Sequence, residues 1–166
     1  AVEQPHKRNL ELPALFHPYR VSKQADLMQL ASEPPARQHP DWVFAYGPEL
    51  YYNPGSPDAR RFVGDAILDA VTNYDVDGVH FDDYFYPYPI AGQVMPDAET
   101  FARYGTRFDS VTDWLRYNVN NLVAETGPSA HLAKPWVQFG ISPFAKWPNR
   151  APEPRRSDPP GSLSPD

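Results

Sequence analysis

The sequence predicts an α/β fold, namely part of a (β/α)8 barrel (TIM barrel) with about three parallel strands and long, aromatic βα loops. Apolar strand-like segments alternate with helix-like segments, as in parallel sheets whose strands are joined by helical crossovers. The loops after the strands are long and aromatic, whereas those before them are shorter, which is typical of a barrel with its chemistry at the carboxyl ends of the strands. Because only three strands can be counted in 166 residues, we expect a piece of a barrel.

The first predicted strand is the apolar run of residues 10–16 (LELPALF), although Pro13 is unfavourable in a central strand. Residues 17–55 show no sustained periodicity, and we interpret them as a long loop with a short helix around residues 23–30. A loop of this length inside a compact domain is usually functional.

A helix is predicted from Pro57 to about Tyr74, with Ser56 as its N-cap and Asp58 in its first turn. Its apolar residues recur at helical spacing, and they are Phe62, Ala66, Ile67, Ala70, Val71 and Tyr74. The second predicted strand follows directly, at residues 78–84.

A loop rich in Pro and Gly leads to a second helix, which Asp109 or Ser110 caps and which Gly127-Pro128 ends after about Thr126. Its predicted inward side chains are Val111, Trp114, Leu115, Leu122 and Val123. The third strand is predicted at residues 135–142. We assign residues 1–147 to the partial barrel domain and residues 148–166, which hold six prolines, to a loop or a disordered tail.

The composition excludes several classes of function. A formal net charge of −6 is unfavourable for binding nucleic acid or anionic membranes. The lack of Cys excludes disulfides, thiolate nucleophiles and cysteine–zinc sites. No apolar run approaches the ~20 residues that a membrane-spanning helix needs. The 21 prolines and the 14% of aromatic residues indicate ordered loops that suit a shaped binding surface.

The segment VDGVHFDDYFYPYP carries the strongest functional signal in the sequence. Adjacent carboxylates repel each other, and burying one without a partner is costly. Side chains alternate across a strand, so His80, Asp82 and Tyr84 share one face and Asp83 lies on the other. Polar groups that converge beside aromatic surface mark a ligand site. In the alternative interpretation, the two acids cap the next loop and His80 is a satisfied core histidine.

Further binding candidates lie on the loops. Arg20 can hold hydroxyl groups or a carboxylate of a substrate, or pair with Asp82, whereas Asn53 first suggests a turn. The full set of predicted substrate contacts is His17, Tyr19, Arg20, Asn53, Tyr84, Tyr86, Ser142 and Trp147. Aromatic side chains that could stack on a ligand or pack in the core are Trp42, Tyr51, Tyr86, Phe144 and Trp147.

Five segments in this order resemble the glycosyl hydrolase-like 10 family of bacterial barrel enzymes: LFHPYR, HPDWVFAYGPELYYNPG, NYDVDGVHFDDYFYPYP, DWLRYNVNNL and KPWVQFGISPF. The resemblance covers most of residues 1–147, and the family typically has Asn at the position of His17. It implies a barrel of the glycosidase type, exported (periplasmic, envelope-bound or secreted), with cell-wall glycan strands the substrate reported for some members. It also implies later strands beyond Asn149, so we expect the chain to be a fragment of the domain.

The second strand is also similar to the fourth strand of alpha-amylase-like enzymes, in which Gly begins the strand, a basic residue follows, and the nucleophilic Asp comes two residues later. This similarity implies that Asp82 is the nucleophile or stabilising carboxylate, with His80 and Asp83 in supporting catalytic positions. The proton donor stays open among Asp83, Asp97, Glu99 and acids outside this sequence, because a raised pKa cannot be derived from sequence.

We therefore expect a glycoside hydrolase that acts on a bacterial polysaccharide, with peptidoglycan glycan strands as one candidate, and that needs no cofactor or metal. One alternative is a metal-dependent polysaccharide deacetylase, for which His17, His80, Asp82 and Asp83 are acceptable ligands although no HExxH-like spacing supports it. The other alternative is a non-catalytic glycan-binding barrel. The expected partner is a polysaccharide or oligosaccharide. An incomplete barrel with open sheet edges need not be active alone.

Overall fold

The computed structural model describes residues 3–31, 34–82 and 84–142. The predictions for Asp83, Phe144, Trp147 and residues 148–166 lie outside this part of the chain. Numbered in chain order, the elements are α1 (Glu3–His6), β1 (Pro13–Phe16), β2 (Arg20–Ser22), a 3-10 turn (Leu27–Gln29), α2 (Pro35–Gln38), a 3-10 turn (Pro40–Trp42), β3 (Val43–Tyr46), β4 (Glu49–Tyr52), α3 (Pro57–Asn73), β5 (Gly78–Phe81), α4 (Ala98–Tyr104), α5 (Val111–Ala133) and β6 (Gln138–Ile141).

The three predicted strands form one parallel sheet in the order β1-β5-β6, which confirms the α/β prediction. β5 is the central strand, and residues in register across the sheet include Leu15, His80 and Gly140. Hydrogen bonds continue one residue past the strands, since Asp82 N–H donates to the Phe16 carbonyl at 3.3 Å. The carboxyl ends of the three strands are therefore held side by side.

α3 follows the sequence prediction closely at its start. The Ser56 hydroxyl accepts a hydrogen bond from Ala59 N–H at 3.4 Å, which satisfies one of the amide groups that a helix N-terminus leaves unpaired. The buried positions are Ala59, Val63, Ile67 and Val71, spaced four residues apart. The prediction that Tyr74 belongs to the buried apolar stripe is wrong, because this side chain is 58% exposed.

α5 begins as predicted but ends later. Ser110, rather than Asp109, is the cap, and its hydroxyl accepts from Asp113 N–H at 3.0 Å. The predicted end at Gly127-Pro128 is wrong, because the helix continues to Ala133. Pro128 removes one backbone donor, while burial of Thr126, Gly127 and Ala130 holds the helix in place.

The core lies between the parallel sheet and the two long helices. Val79 and Phe81 of β5 are 1% and 0% exposed and pack with residues of α3 and α5, such as Ile67 and Leu122. Burying a side chain of this size stabilises the fold by about 1.5–3 kcal/mol. On the opposite face of the sheet Leu15 is 59% exposed, so in the described part of the chain this face is open to solvent.

Residues 17–55, predicted as an irregular loop, contain a second, antiparallel sheet in the order β2-β4-β3. Its tight turn places Gly47 at φ +58°, a conformation that favours glycine. The predicted helix at 23–30 is reduced to one 3-10 turn. Each strand has only three or four residues, too few for alternation to be recognised in the sequence.

The loop after β5 packs against this second sheet. Ile90 N–H donates to the Tyr46 hydroxyl at 2.9 Å, Gly47 N–H donates to Gln93 Oε1 at 3.1 Å, and Met95 packs against the aromatic side chains of the sheet. Together the loop and the sheet form a wall beside the carboxyl end of β5. Within the described residues, no helix combines the length and the apolarity that crossing a bilayer requires.

Candidate active site

Asp82 follows the central strand of the parallel sheet and lies on its open face. Side-chain alternation places it on the same face as His80, opposite the buried Val79 and Phe81. Leu15, His80 and Gly140 are in register across the sheet. Two residues further along the three strands, on the same face, come His17, Asp82 and Ser142, so His17 and Ser142 lie on either side of Asp82. The Asp82 side chain is 35% exposed, so solvent and a ligand can reach it.

His80 contacts the neighbouring strand. Its Nε2 lies 2.9 Å from Ser142 Oγ, within hydrogen-bond distance. Gly140 makes room for the ring, because a Cβ there would lie 3.1 Å from His80 Nδ1. The sequence predicted His80 as the basic partner of Asp82, and Ser142 as a sugar contact. In the structure, His80 and Ser142 contact each other.

The imidazole beside Asp82 is that of His17. Its Nδ1 lies 3.8 Å from Asp82 Oδ2, and the two side chains are 28% and 35% exposed. The His17 ring also meets the Tyr84 ring edge to face, with centroids 5.8 Å apart. Sequence reasoning placed His17 among the sugar contacts and among the ligands of the alternative metal site. Its position directly after the first strand was the signal that could have identified it.

Arg20 and two tyrosines extend this group of side chains. The guanidinium carbon of Arg20 lies 6.0 Å from the centroid of the Tyr84 ring, at the limit of a cation–π contact. Tyr84 and Tyr88 meet edge to face at 5.1 Å. Pairwise contacts therefore connect these side chains at the carboxyl ends of the strands: His17 with Asp82 and Tyr84, Arg20 with Tyr84, and His80 with Ser142.

Tyr19 and Tyr86 are not at this site. Tyr19 is 0% exposed in the core, its hydroxyl has no hydrogen-bond partner within the described residues, and burial raises its pKa well above the usual value. The Tyr86 hydroxyl accepts from Asn118 Nδ2 of α5 at 3.1 Å, and burial raises its pKa too. The sugar contacts predicted for both therefore conflict with their positions, because each side chain turns towards the helices.

Asn53 is also occupied by the fold. Its Oδ1 accepts from Gly55 N–H at 2.9 Å and its Nδ2 donates to Thr100 Oγ1 at 2.7 Å, so it forms the turn that the sequence first suggested. Its predicted sugar contact conflicts with these bonds and with an exposure of only 5%. Likewise, Trp42 stacks on His39 at 3.9 Å and cannot offer that face to a pyranose ring.

The two described candidates for the proton donor lie on or just before α4. Asp97 is 9% exposed, and burial raises its pKa, as a proton donor requires. Its charge acts on Tyr86, which faces α5, so Asp97 lies with that side chain. Glu99 is exposed in the first turn of α4. In the part of the chain that the structure covers, no group of three or more His, Asp or Glu side chains is arranged to hold a metal ion.

A parallel sheet with helices on one face, and with polar side chains at the carboxyl ends of its strands, defines a segment of a (β/α)8 barrel. Solved structures agree. An alpha-galactosidase from Lactobacillus brevis matches 84% of this chain and 17% of its own, with a TM-score of 0.50 at 17% identity. Alpha-L-fucosidase isoenzyme 2 from Paenibacillus thiaminolyticus matches 85% of this chain and 22% of its own, with a TM-score of 0.51 at 14% identity.

The chain belongs to the glycosyl hydrolase-like 10 family, whose model matches residues 1–158. Glycosyl hydrolase YngK of Bacillus subtilis (strain 168) is 51% identical over 159 residues, which are 95% of this chain and 31% of the relative. Glycosyl hydrolase DigH of Escherichia coli (strain K12) is 36% identical over 172 residues, 98% of this chain and 39% of the relative. The chain thus spans about a third of the length of these curated relatives, and the predicted family is confirmed.

Proposed function

We propose that this chain supplies the active-site carboxylate Asp82 of a glycoside hydrolase that cleaves glycosidic bonds in peptidoglycan glycan strands. The observation that carries the proposal is the position of Asp82, at the carboxyl end of the central parallel strand and on its open face. Barrel enzymes carry their chemistry at this end of the strands. The family and the names of the relatives support hydrolysis of a glycosidic bond.

Asp82 acts on the anomeric carbon in this mechanism. Glycosidases pass through an oxocarbenium-like transition state, which a carboxylate on one side of the ring stabilises or attacks while a second carboxyl group protonates the leaving oxygen. The second group lies ~5–5.5 Å away in retaining enzymes and ~6.5–9.5 Å away in inverting ones. Asp97 has the burial of a proton donor but lies with Tyr86, so we assign the donor to a residue outside the described part of the chain.

Sugar binding falls to the exposed side of the same cluster. Tyr84 and Tyr88 present aromatic surface near Asp82, and Arg20 brings a positive charge over the Tyr84 ring. Aromatic rings pack against the apolar face of a pyranose, while a guanidinium pairs with hydroxyl or carboxylate oxygens. The muramic acid residues of peptidoglycan offer both features. A cell-wall substrate also implies an exported protein, since that polymer lies outside the cytoplasmic membrane.

The test is Asp82→Asn in the longest natural reading frame that contains this chain. We expect turnover, measured as reducing ends released from denuded glycan strands, to fall roughly 10³-fold or more, while glycan binding changes little. The matched control is Asp109→Asn, an exposed acid, which should leave turnover unchanged. Equal activity of the two variants would reject the catalytic assignment.

The same assay separates the alternatives. A metal-dependent deacetylase would release acetate instead of reducing ends and would lose activity in a chelator. A non-catalytic glycan-binding barrel would bind glycan equally well with and without the Asp82 carboxylate and release no product. Either pattern would replace the proposed hydrolysis.

A further inference from the structure

We propose that His17 is the positioning residue of Asp82, with His17 Nδ1–H donating a hydrogen bond to the Asp82 carboxylate when a sugar occupies the site. This inference rests on the proposed function for its catalytic consequence, but the contact itself can be measured without turnover. It assigns to His17 the orienting role that the sequence suggested for His80.

The first support is a buried polar atom without a hydrogen-bond partner. His17 Nδ1 is inaccessible to solvent and forms no hydrogen bond within the described residues. Buried ring nitrogens are normally satisfied, and an exception calls for an explanation. Asp82 Oδ2 lies 3.8 Å from this nitrogen, just beyond hydrogen-bond distance.

The second support is that the gap is short and the backbone on both sides of it is fixed. A charge-assisted hydrogen bond needs about 2.7–2.9 Å between donor and acceptor, so the two atoms must approach by about 1 Å. The hydrogen bond from Asp82 N–H to the Phe16 carbonyl, 3.3 Å, holds the backbone of Asp82 beside the residue that precedes His17. With the backbone held, the approach is left to rotation of the two side chains, and catalytic hydrogen bonds that are long in a free enzyme often tighten with substrate.

The third support is that the other imidazole is engaged elsewhere. His80 Nε2 pairs with Ser142 Oγ at 2.9 Å, and its ring is seated over Gly140. The His17 ring, in contrast, meets the Tyr84 ring edge to face, with centroids 5.8 Å apart. The two histidines thus have different partners, although both lie on the same face of the sheet as Asp82.

A donor on Asp82 fixes the orientation of the carboxylate and favours its ionised form. Both effects act on the reacting group and leave the sugar contacts unchanged. Loss of the donor should therefore lower kcat and leave KM nearly constant, whereas loss of a sugar contact would raise KM.

The kinetic test uses His17→Leu and His17→Asn in the longest natural reading frame, with His131→Asn on α5 as the matched control. We expect His17→Leu to lower kcat about 10- to 100-fold, since a 1 Å misplacement can cost about 10²-fold, with KM within about twofold. His17→Asn should recover most of kcat because its amide N–H can donate to the same oxygen. Equal loss in both variants, or a change in KM alone, would overturn the proposal.

The spectroscopic test does not depend on turnover. In protein labelled with ¹⁵N-histidine, the signal that disappears in His17→Asn identifies His17, and its long-range ¹H–¹⁵N pattern reports which nitrogen carries the proton. We expect a protonated Nδ1 in the presence of glycan and a changed pattern in Asp82→Ala. A neutral ring protonated only at Nε2 would overturn the contact. If no protein releases reducing ends while the expected pattern is present, the proposed hydrolysis fails and the His17–Asp82 contact stands.

Discussion

Gly140→Ala tests whether the seating of His80 on β6 matters for catalysis. The added Cβ would lie 3.1 Å from His80 Nδ1, compared with about 3.5 Å for an ordinary contact. The ring must therefore retreat by about 0.4 Å or more, which strains its 2.9 Å contact with Ser142 Oγ. Gly140 has no positive φ, so Ala fits the backbone and gains about 0.4–1 kcal/mol from the unfolded state. That gain offsets the loss of one exposed hydrogen bond, about 0.5–1.5 kcal/mol.

The expected result is near-constant stability with reduced turnover. If a 1 Å misplacement costs about 10²-fold, a shift of roughly half that size should lower kcat about tenfold. Thermal unfolding and reducing-end release in the longest natural reading frame measure the two quantities. The control is Gly64→Ala in α3, where a Cβ meets nothing within 4 Å, and which should stabilise the helix by about 0.5–1 kcal/mol with kcat unchanged. Unchanged kcat in Gly140→Ala would refute the expectation that the seating of His80 on β6 matters for catalysis.

Three further predictions concern stability. Tyr19→Phe removes a buried hydroxyl that lacks a hydrogen-bond partner in the described residues. The free energy of unfolding, measured in urea, should therefore stay constant or rise by up to about 1–3 kcal/mol, with turnover unchanged. A clear fall in that free energy would contradict this. Ser56→Ala should cost about 0.5–2 kcal/mol in the same assay, and a neutral effect would argue against the cap. His6 Nε2 lies 2.8 Å from Asp77 Oδ2, and this hydrogen bond is the main reason why the pKa of His6 is raised. The pKa of Asp77 is lowered, first by the hydrogen bond from Leu12 N–H and then by the one with His6. What His6 contributes to the free energy of unfolding is therefore fully present below its unfolded pKa of about 6.5 and is lost as the pH rises through the raised pKa. What Asp77 contributes is lost as the pH falls through its lowered pKa, below about 3.9. Asp77→Asn should make Tm depend less on pH at both the acidic and the neutral end. Parallel curves of Tm against pH for the variant and the unsubstituted protein would contradict the role of the His6–Asp77 pair.

The main elements of the barrel segment could be predicted because their signals are local. Ser56 and Ser110 mark helix starts by the chemistry of their hydroxyl groups, and helical spacing identified the buried Ile67. The second sheet could not be predicted, since its three- and four-residue strands are stabilised by pairing with each other and by the loop after β5. The end of α5 was missed because the packing of Ala130 on the core outweighs the local cost of Pro128.

Side-chain alternation along β5 depends only on the sequence, so the sequence by itself determined that His80 and Asp82 share a face. Which imidazole meets that carboxylate depends on the two strands beside β5. Tertiary structure alone places His17 Nδ1 3.8 Å from Asp82 Oδ2 and His80 Nε2 within hydrogen-bond distance of Ser142 Oγ. It also buries Tyr19, which stands one residue before Arg20 in the sequence. The physical reason is that periodicity sets the direction of a side chain, whereas its partner and its exposure are set by groups that are distant in the chain and adjacent only after folding.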